Sequence, residues 1–192
     1  MAEKIRVVHY LNQFFAQFGG EEKADIGPGF KDGPIGPGRA LQGALGQEGE
    51  VVATCFCGDN YFAEHLEEAT EELLRQMASF KPQLLIAGPA FESGRYGVAC
   101  GAIGHAAQER LNIRAVAGMD AENAGTGLYR KKVYIVDSGS SVVRMAPVIQ
   151  RMTGLGLKLV KGMPINPLTL ILLPFRYNRL PAGQRQLRSF SS

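Results

Sequence analysis

The chain has no tryptophan and only three cysteines in 192 residues. Cys55, Cys57 and Cys100 are too few for the disulfide framework of a small secreted domain, and no Cys-x-x-Cys pair is present for thiol–disulfide exchange. Cys55 and Cys57 are spaced Cys-x-Cys in a strand-like run, and the expectation is that they take opposite faces and form no local bridge. No apolar run approaches the ~20 residues of a membrane span, and Leu168–Leu173 is too short to be one. The start, Met1-Ala2-Glu3-Lys4-Ile5, is not a signal peptide. These features point to the cytoplasm and away from a membrane. No Gly-x-Gly-x-x-Gly follows the first strand-like run and no Walker A sequence occurs, so nucleotide binding has little support. His65 and His105 lack paired ligand spacing, and no metal site is expected. Acidic residues are missing from 151–192, which carry seven Lys or Arg, leaving 14 basic against 18 acidic residues in 1–150. A basic tail on a mildly acidic body is a weak signal. Contact with an acidic partner or an unstructured end is the plainer reading, and no nucleic-acid partner is expected.

Glycine is abundant, at 24 residues, and clusters in turns without a collagen period. Hydrophobic content of 45% and charged content of 20% suit a globular domain. Five short apolar runs recur: Ile5–Tyr10, Val51–Phe56, Gln83–Ala87, Arg114–Ala117 and Lys132–Val136. Near-continuous Val and Ile predict strands covered on both faces. Phe62, Leu66, Ala69, Leu73, Met77 and Phe80 recur every three or four residues, which predicts one helix capped by Asp59 or Asn60 and stopped at Lys81-Pro82. A second helix is predicted from about Tyr96 to Leu111, and a third from the Asp137–Ser141 turn through Met152. Residues 19–38, with their Gly-Pro repeats, predict a long functional loop. Alternating strands and helices imply right-handed crossovers. The expected fold is α/β: a parallel sheet of about five strands with helices on both faces, in a flavodoxin-like or doubly wound three-layer arrangement. The expected division is a domain over 1–162 and a divergent basic tail over 163–192.

In such a sheet ligands bind beyond the carboxyl ends of the strands. The turn Gly88–Gly101 follows a strand, is rich in glycine, and carries Phe91, Gly94, Arg95, Tyr96 and Cys100. Arg95 suits bidentate grip of a carboxylate. Cys100 falls in the first turns of a helix, where the dipole lowers a thiol pKa, or else is a small core residue. Asp59 and Asn60 are helix caps first and ligand groups second. His9 at a strand end is more often a structural hydrogen-bonder than a base.

Taken together, the turns resemble a known family. Ile5–Phe15, Gly19-Gly20-Glu21-Glu22-Lys23-Ala24-Asp25, Gly36-Pro37-Gly38, Cys57–Phe62, Ile86–Phe91, Gly94–Gly101, Gly118-Met119 and Glu122-Asn123 resemble the amino-terminal half of selenoprotein component B of glycine/sarcosine/betaine reductase. The resemblance covers roughly 4–137 and thins to about 162. It implies a substrate-binding subunit of an anaerobic amino-acid reductase, an oxidoreductase with a disulfide acceptor, that removes the amine of glycine, sarcosine or betaine. It further implies partnership with the small selenoprotein component A, membership of an oligomer or complex, and a pyruvoyl group on a partner subunit in the glycine and sarcosine enzymes. The family's selenocysteine motif lies in the carboxy-terminal half, and no cysteine follows Cys100 here. The chain is therefore expected to hold no cofactor, to be inactive by itself, and to be a truncated or split form, with Cys57 and Cys100 weak catalytic candidates. Our assignment of substrate contacts rests on residue type and position. Arg95 and the backbone around Gly94 take the carboxylate. Phe91, Tyr61 and Tyr96 contact a methylated ammonium. Glu21, Glu22 or Asp59 balances its charge, with His9, Asn12 and Asn60 nearby. The competing expectation is a non-catalytic docking or scaffold module of the same complex.

Overall fold

The computed structural model describes residues 2–165. Its elements in chain order begin with β1 (Ile5–Asn12), a 3-10 turn at Glu21–Lys23, β2 (Gly29–Asp32), α1 (Gly38–Leu45) and β3 (Gly49–Cys57). Then come α2 (Asp59–Glu64), α3 (Leu66–Ser79), β4 (Leu84–Ala87), α4 (Gly94–Ala106) and β5 (Arg114–Met119). The described part closes with α5 (Ala124–Tyr129), β6 (Tyr134–Asp137) and α6 (Met145–Lys161). Among the described residues the sheet has six strands in the order β2-β3-β1-β4-β5-β6. The five anticipated strands are all present and all parallel. Counted by themselves they run 2-1-3-4-5, the flavodoxin-like order.

The sixth strand was not anticipated. β2 sits inside the Gly-Pro-rich connection and pairs antiparallel with β3, Phe30 opposite Cys55 and Lys31 opposite Thr54. Its exposed Phe30, Lys31 and Asp32 fit an edge position, where glycine, proline and charge are tolerated. A hydrophobic pattern cannot reveal a strand that buries so little.

Two faces are packed. Leu41 and Leu45 of α1 join Val148, Ile149 and Met152 of α6 against Val7, Val51, Leu84 and Val116. On the opposite face Leu73 and Met77 of α3 and Ile103 of α4 pack on Val8, Tyr10, Leu85 and Ala117. The result is three layers, helix, sheet and helix. Cys55 and Cys57 lie in the second of these cores together. The opposite-face expectation fails because a strand's side chains alternate with period two, so residues two apart share a face. All three cysteines are free thiols.

The helix boundaries also shift. The predicted helix over Asp59–Phe80 is broken at His65 (φ −127°, ψ 42°), which separates α2 from α3. Gly58, in an extended conformation, occupies the cap position of α2, and neither Asp59 nor Asn60 caps it. The second helix starts earlier, at Gly94, and ends in a π turn over Ala107–Leu111. The last runs on to Lys161. The apolar segment Leu168–Leu173 and nearly all of the predicted tail lie outside the described residues. Among the described residues no helix is long and apolar enough to cross a membrane.

Candidate functional site

β1 leads toward β3 on one side, and β4 leads toward β5 on the other, so the topological switch point lies between β1 and β4. In open α/β sheets the connections diverge at such a point, and the crevice between them is where ligands bind. A tie from β1 holds its floor. His9 Nε2 donates to the Gly88 carbonyl at 2.7 Å. A carbonyl only accepts, so Nε2 carries the proton and Nδ1 is bare. Burial lowers the His9 pKa to about 4, against the opposing pull of that hydrogen bond. His9 is thus a neutral structural tie between β1 and the turn after β4. At Gly88 (φ 92°) a Cβ would stand 2.8 Å from Ala90 N and 2.9 Å from the Gly118 carbonyl, so only glycine fits.

The turn between β4 and α4 is anchored from β5 and α5. Ala90 N donates to the Gly118 carbonyl (2.8 Å) and Asp120 N to the Phe91 carbonyl (2.9 Å). Asn123 Nδ2 donates to the carbonyls of Phe91 (2.9 Å) and Ser93 (3.0 Å), while its Oδ1 accepts from Gly125 N and caps α5. Asn123 therefore positions the whole turn, a role that nothing in its local sequence signals beyond a cap residue before a helix. Phe91 is held at φ 52°, an uncommon conformation for a residue with a side chain. Ser93, at the cap position of α4, makes no side-chain hydrogen bond to the helix. The first-turn N–H groups of a 13-residue helix are left uncapped by side chains at the crevice, and such a terminus favours an anion.

Facing that terminus is a polar cluster. Asn12 Nδ2 donates to Asp59 Oδ2 at 2.9 Å, Asn12 Oδ1 accepts from Phe15 N at 3.0 Å, and Asp59 N donates to Gln13 Oε1 at 3.0 Å. Asp59 is buried, and that burial raises its carboxyl pKa against the lowering effects of the Asn12 hydrogen bond and the Arg95 charge. Above it, Arg95 Nη1 donates to Asn60 Oδ1, and Nη2 meets Glu21 Oε2 at 3.4 Å. The Arg95 side chain is 49% exposed and Glu21 77%, so this pair contributes at most about 1 kcal/mol. The guanidinium is free to change partner.

The structure thus brings Asn12, Glu21, Asp59, Asn60, Gly94 and Arg95 to one mouth. The other predicted residues are placed differently. Phe91 and Tyr96 are buried beneath the mouth, packed about Phe15 with ring centroids 6.4 and 6.0 Å away, and Tyr96 lies 6.2 Å from Tyr10. Tyr61 stacks on His65 (4.5 Å) and lines an outer groove with Pro28, Glu68, Glu72 and Arg110. Glu22 turns back on its own backbone N–H and on that of Gly20 (2.9 Å), and these two hydrogen bonds lower its carboxyl pKa. His9 points from the other face of β1. Cys57 and Cys100 are fully buried. Burial pushes the Cys57 thiol up to about 12 and Cys100 well above its ordinary value, so the dipole expectation for Cys100 gives way to desolvation.

The family model described as glycine/sarcosine/betaine reductase selenoprotein B matches residues 4–170. The chain is 55% identical over 158 residues to the glycine reductase complex component B subunit gamma of Carboxydothermus hydrogenoformans, covering 82% of this chain and 36% of that protein. It is 46% identical over 165 residues to the sarcosine reductase complex component B subunit beta of Peptoclostridium acidaminophilum, covering 86% and 38%. It is 43% identical over 185 residues to the glycine reductase complex component B subunit gamma of Symbiobacterium thermophilum, covering 96% and 43%. No solved structure matches the chain. The chain spans about two fifths of the length of these curated relatives. With the parallel sheet, the crevice and the strand-end motifs in place, the chain belongs to the glycine/sarcosine/betaine reductase selenoprotein B family.

Proposed function

We propose that this chain is the substrate-recognition part of a reductase component B, holding a small amino acid by its carboxylate. One observation carries the reading: Arg95 stands exposed on the uncapped amino terminus of α4, at the switch point, paired among the described residues with the displaceable Asn60 and Glu21. A carboxylate there gains a bidentate guanidinium contact and the N–H groups of the first helical turn. Asp59 and Glu21 lie beside it to balance the charge of the amine. All three thiols are buried with raised pKa values, so a redox nucleophile is supplied from outside the described residues. The selenocysteine of the family is the natural candidate, with component A as the partner that receives the substrate fragment.

Calorimetric titration of the 192-residue chain with glycine, sarcosine and betaine tests the reading. Saturable binding is expected for at least one of them. Arg95→Ala is expected to weaken it about tenfold or more, the loss of one charge-assisted contact. Unchanged affinity in the variant removes Arg95 from the site.

A further inference from the structure

We propose that Asp59 Oδ1, Tyr10 Oη and Tyr96 Oη form a buried subsite that receives the ammonium group of the ligand and requires that group to carry N–H bonds. This deepens, and rests on, the carboxylate site proposed above at Arg95. Each of these three oxygens is buried and makes no close hydrogen bond among the described residues, although the Asn12 backbone N–H leans on the Tyr96 phenol and the Gln13 side chain on the Asp59 carboxylate. Buried polar atoms are nearly always paired, and even with each phenol O–H turned to the Asp59 carboxylate the lone pairs of this neighbourhood outnumber its donors, which leaves places for N–H groups.

They share that neighbourhood for reasons of topology. Tyr10 and Asn12 are two apart on β1 and therefore on one face. Asn12 grips Asp59 by Oδ2, which leaves Oδ1 unpartnered. Tyr96 follows Arg95 in the first turn of α4, and its ring lies 6.2 Å from that of Tyr10. The charge of Asp59 acts on both phenols, and the charges of Arg95 and Glu21 act on Asp59. The exposed layer of Arg95, Asn60 and Glu21 thus lies over a deeper acceptor layer. A ligand carboxylate that takes Arg95 from Asn60 and Glu21 opens the way down to Asp59. Its ammonium then meets one carboxylate oxygen and two phenol oxygens. A primary ammonium offers three N–H donors and a secondary one two, whereas a quaternary ammonium offers none. The subsite therefore selects glycine or an N-methyl amino acid over a betaine, because a trimethylammonium group supplies no N–H to the Asp59 carboxylate or to the phenol lone pairs.

The test is an NMR titration of the 192-residue chain with glycine, betaine, acetate and methylammonium, repeated on Tyr10→Phe, Tyr96→Phe and Arg95→Ala. Glycine is expected to bind more tightly than acetate, and betaine no more tightly than acetate. Each Tyr→Phe change is expected to weaken glycine about tenfold, the loss of one hydrogen bond to a charged group, and to leave acetate unchanged. Because the Tyr10 phenol has no partner without ligand, Tyr10→Phe should melt at or above the parent temperature. Equal affinity for glycine, betaine and acetate overturns the subsite while leaving the carboxylate site standing. So do Tyr→Phe variants that melt lower and bind glycine normally, the signature of phenols that hold internal water. Binding of methylammonium without acetate supports the subsite and removes the role of Arg95. No binding of any of the four sinks both.

Discussion

Acidification from pH 6.5 to 4 is expected to cost this protein about 3 kcal/mol through His9. The residue titrates at 6.5 in an unfolded chain and at about 4 in the fold, where burial excludes the charged form. Between those values the unfolded chain binds the proton and the native state does not. Stability is therefore fully present above pH 6.5 and is lost as the pH falls toward 4. A shift of about two and a half pK units corresponds to about 3 kcal/mol, a large share of the 5–15 kcal/mol typical of a domain. Asp59 works in the opposite direction, since its raised pKa makes protonation in acid favour the fold. Comparing the parent with His9→Asn isolates the histidine. Urea unfolding at pH 7, 5.5 and 4 should show the parent's advantage over the variant shrinking by about 3 kcal/mol. Parallel pH profiles for the two proteins would show that His9 is charged, or accessible, in the native state. The added proton goes to Nδ1 and leaves the hydrogen bond to the Gly88 carbonyl in place, so the cost is that of a buried charge and not of a lost tie.

Gly125→Ala is expected to destabilise by about 3 kcal/mol and to abolish ligand binding as well. α5 crosses α4 through a pair of glycines, Gly97 and Gly125. A Cβ on Gly125 would overlap the carbonyl group of Gly97 and stand 2.8 Å from Val98 N. Backbone atoms cannot rotate away as a flexible side chain can, so the two helices must separate. Overpacking of this kind costs about 1–3 kcal/mol and sometimes more. The separation also pulls Asn123 from the carbonyls of Phe91 and Ser93, releasing the turn that presents Gly94 and Arg95. Thermal melting should fall by roughly 10 °C. Gly154→Ala on α6 is the control, because among the described residues nothing outside its own turn of helix lies within 4 Å of its added Cβ. It should be neutral or stabilise by up to about 1 kcal/mol. A Gly125→Ala protein that melts with the parent would mean that α5 is free to move off α4.

The contrast between those two glycines shows where local reading stops. Both are glycines in helical segments, and nothing in their immediate neighbours separates the indispensable one from the replaceable one. Asn123 is similar: its place before a helix marks it as a cap, yet its larger part is played against carbonyls 30 and 32 residues earlier. Arg95 was legible as an anion-binding residue from its glycine-rich turn. Its partners Asn60 and Glu21, 35 and 74 residues distant, were legible only as polar residues at other strand ends. Tyr96 and Phe91 read as contacts of a methylated ammonium, and Tyr10 as a strand residue. Their burial follows from how α4 lies on β1, which no single segment records.

The apolar runs by themselves determined that β1, β3, β4, β5 and β6 exist, that they are parallel and covered on both faces, and that their polar turns gather at one end of the sheet. Hydrophobic periodicity and glycine placement are local properties, and local sequence carries them. The edge strand β2, the break at His65, the neutral tie made by His9, and the division of the site into an exposed guanidinium layer over buried oxygens were decided by the tertiary structure. Each depends on which side chains from distant elements exclude water from one another, and solvent exclusion is settled only when those elements pack.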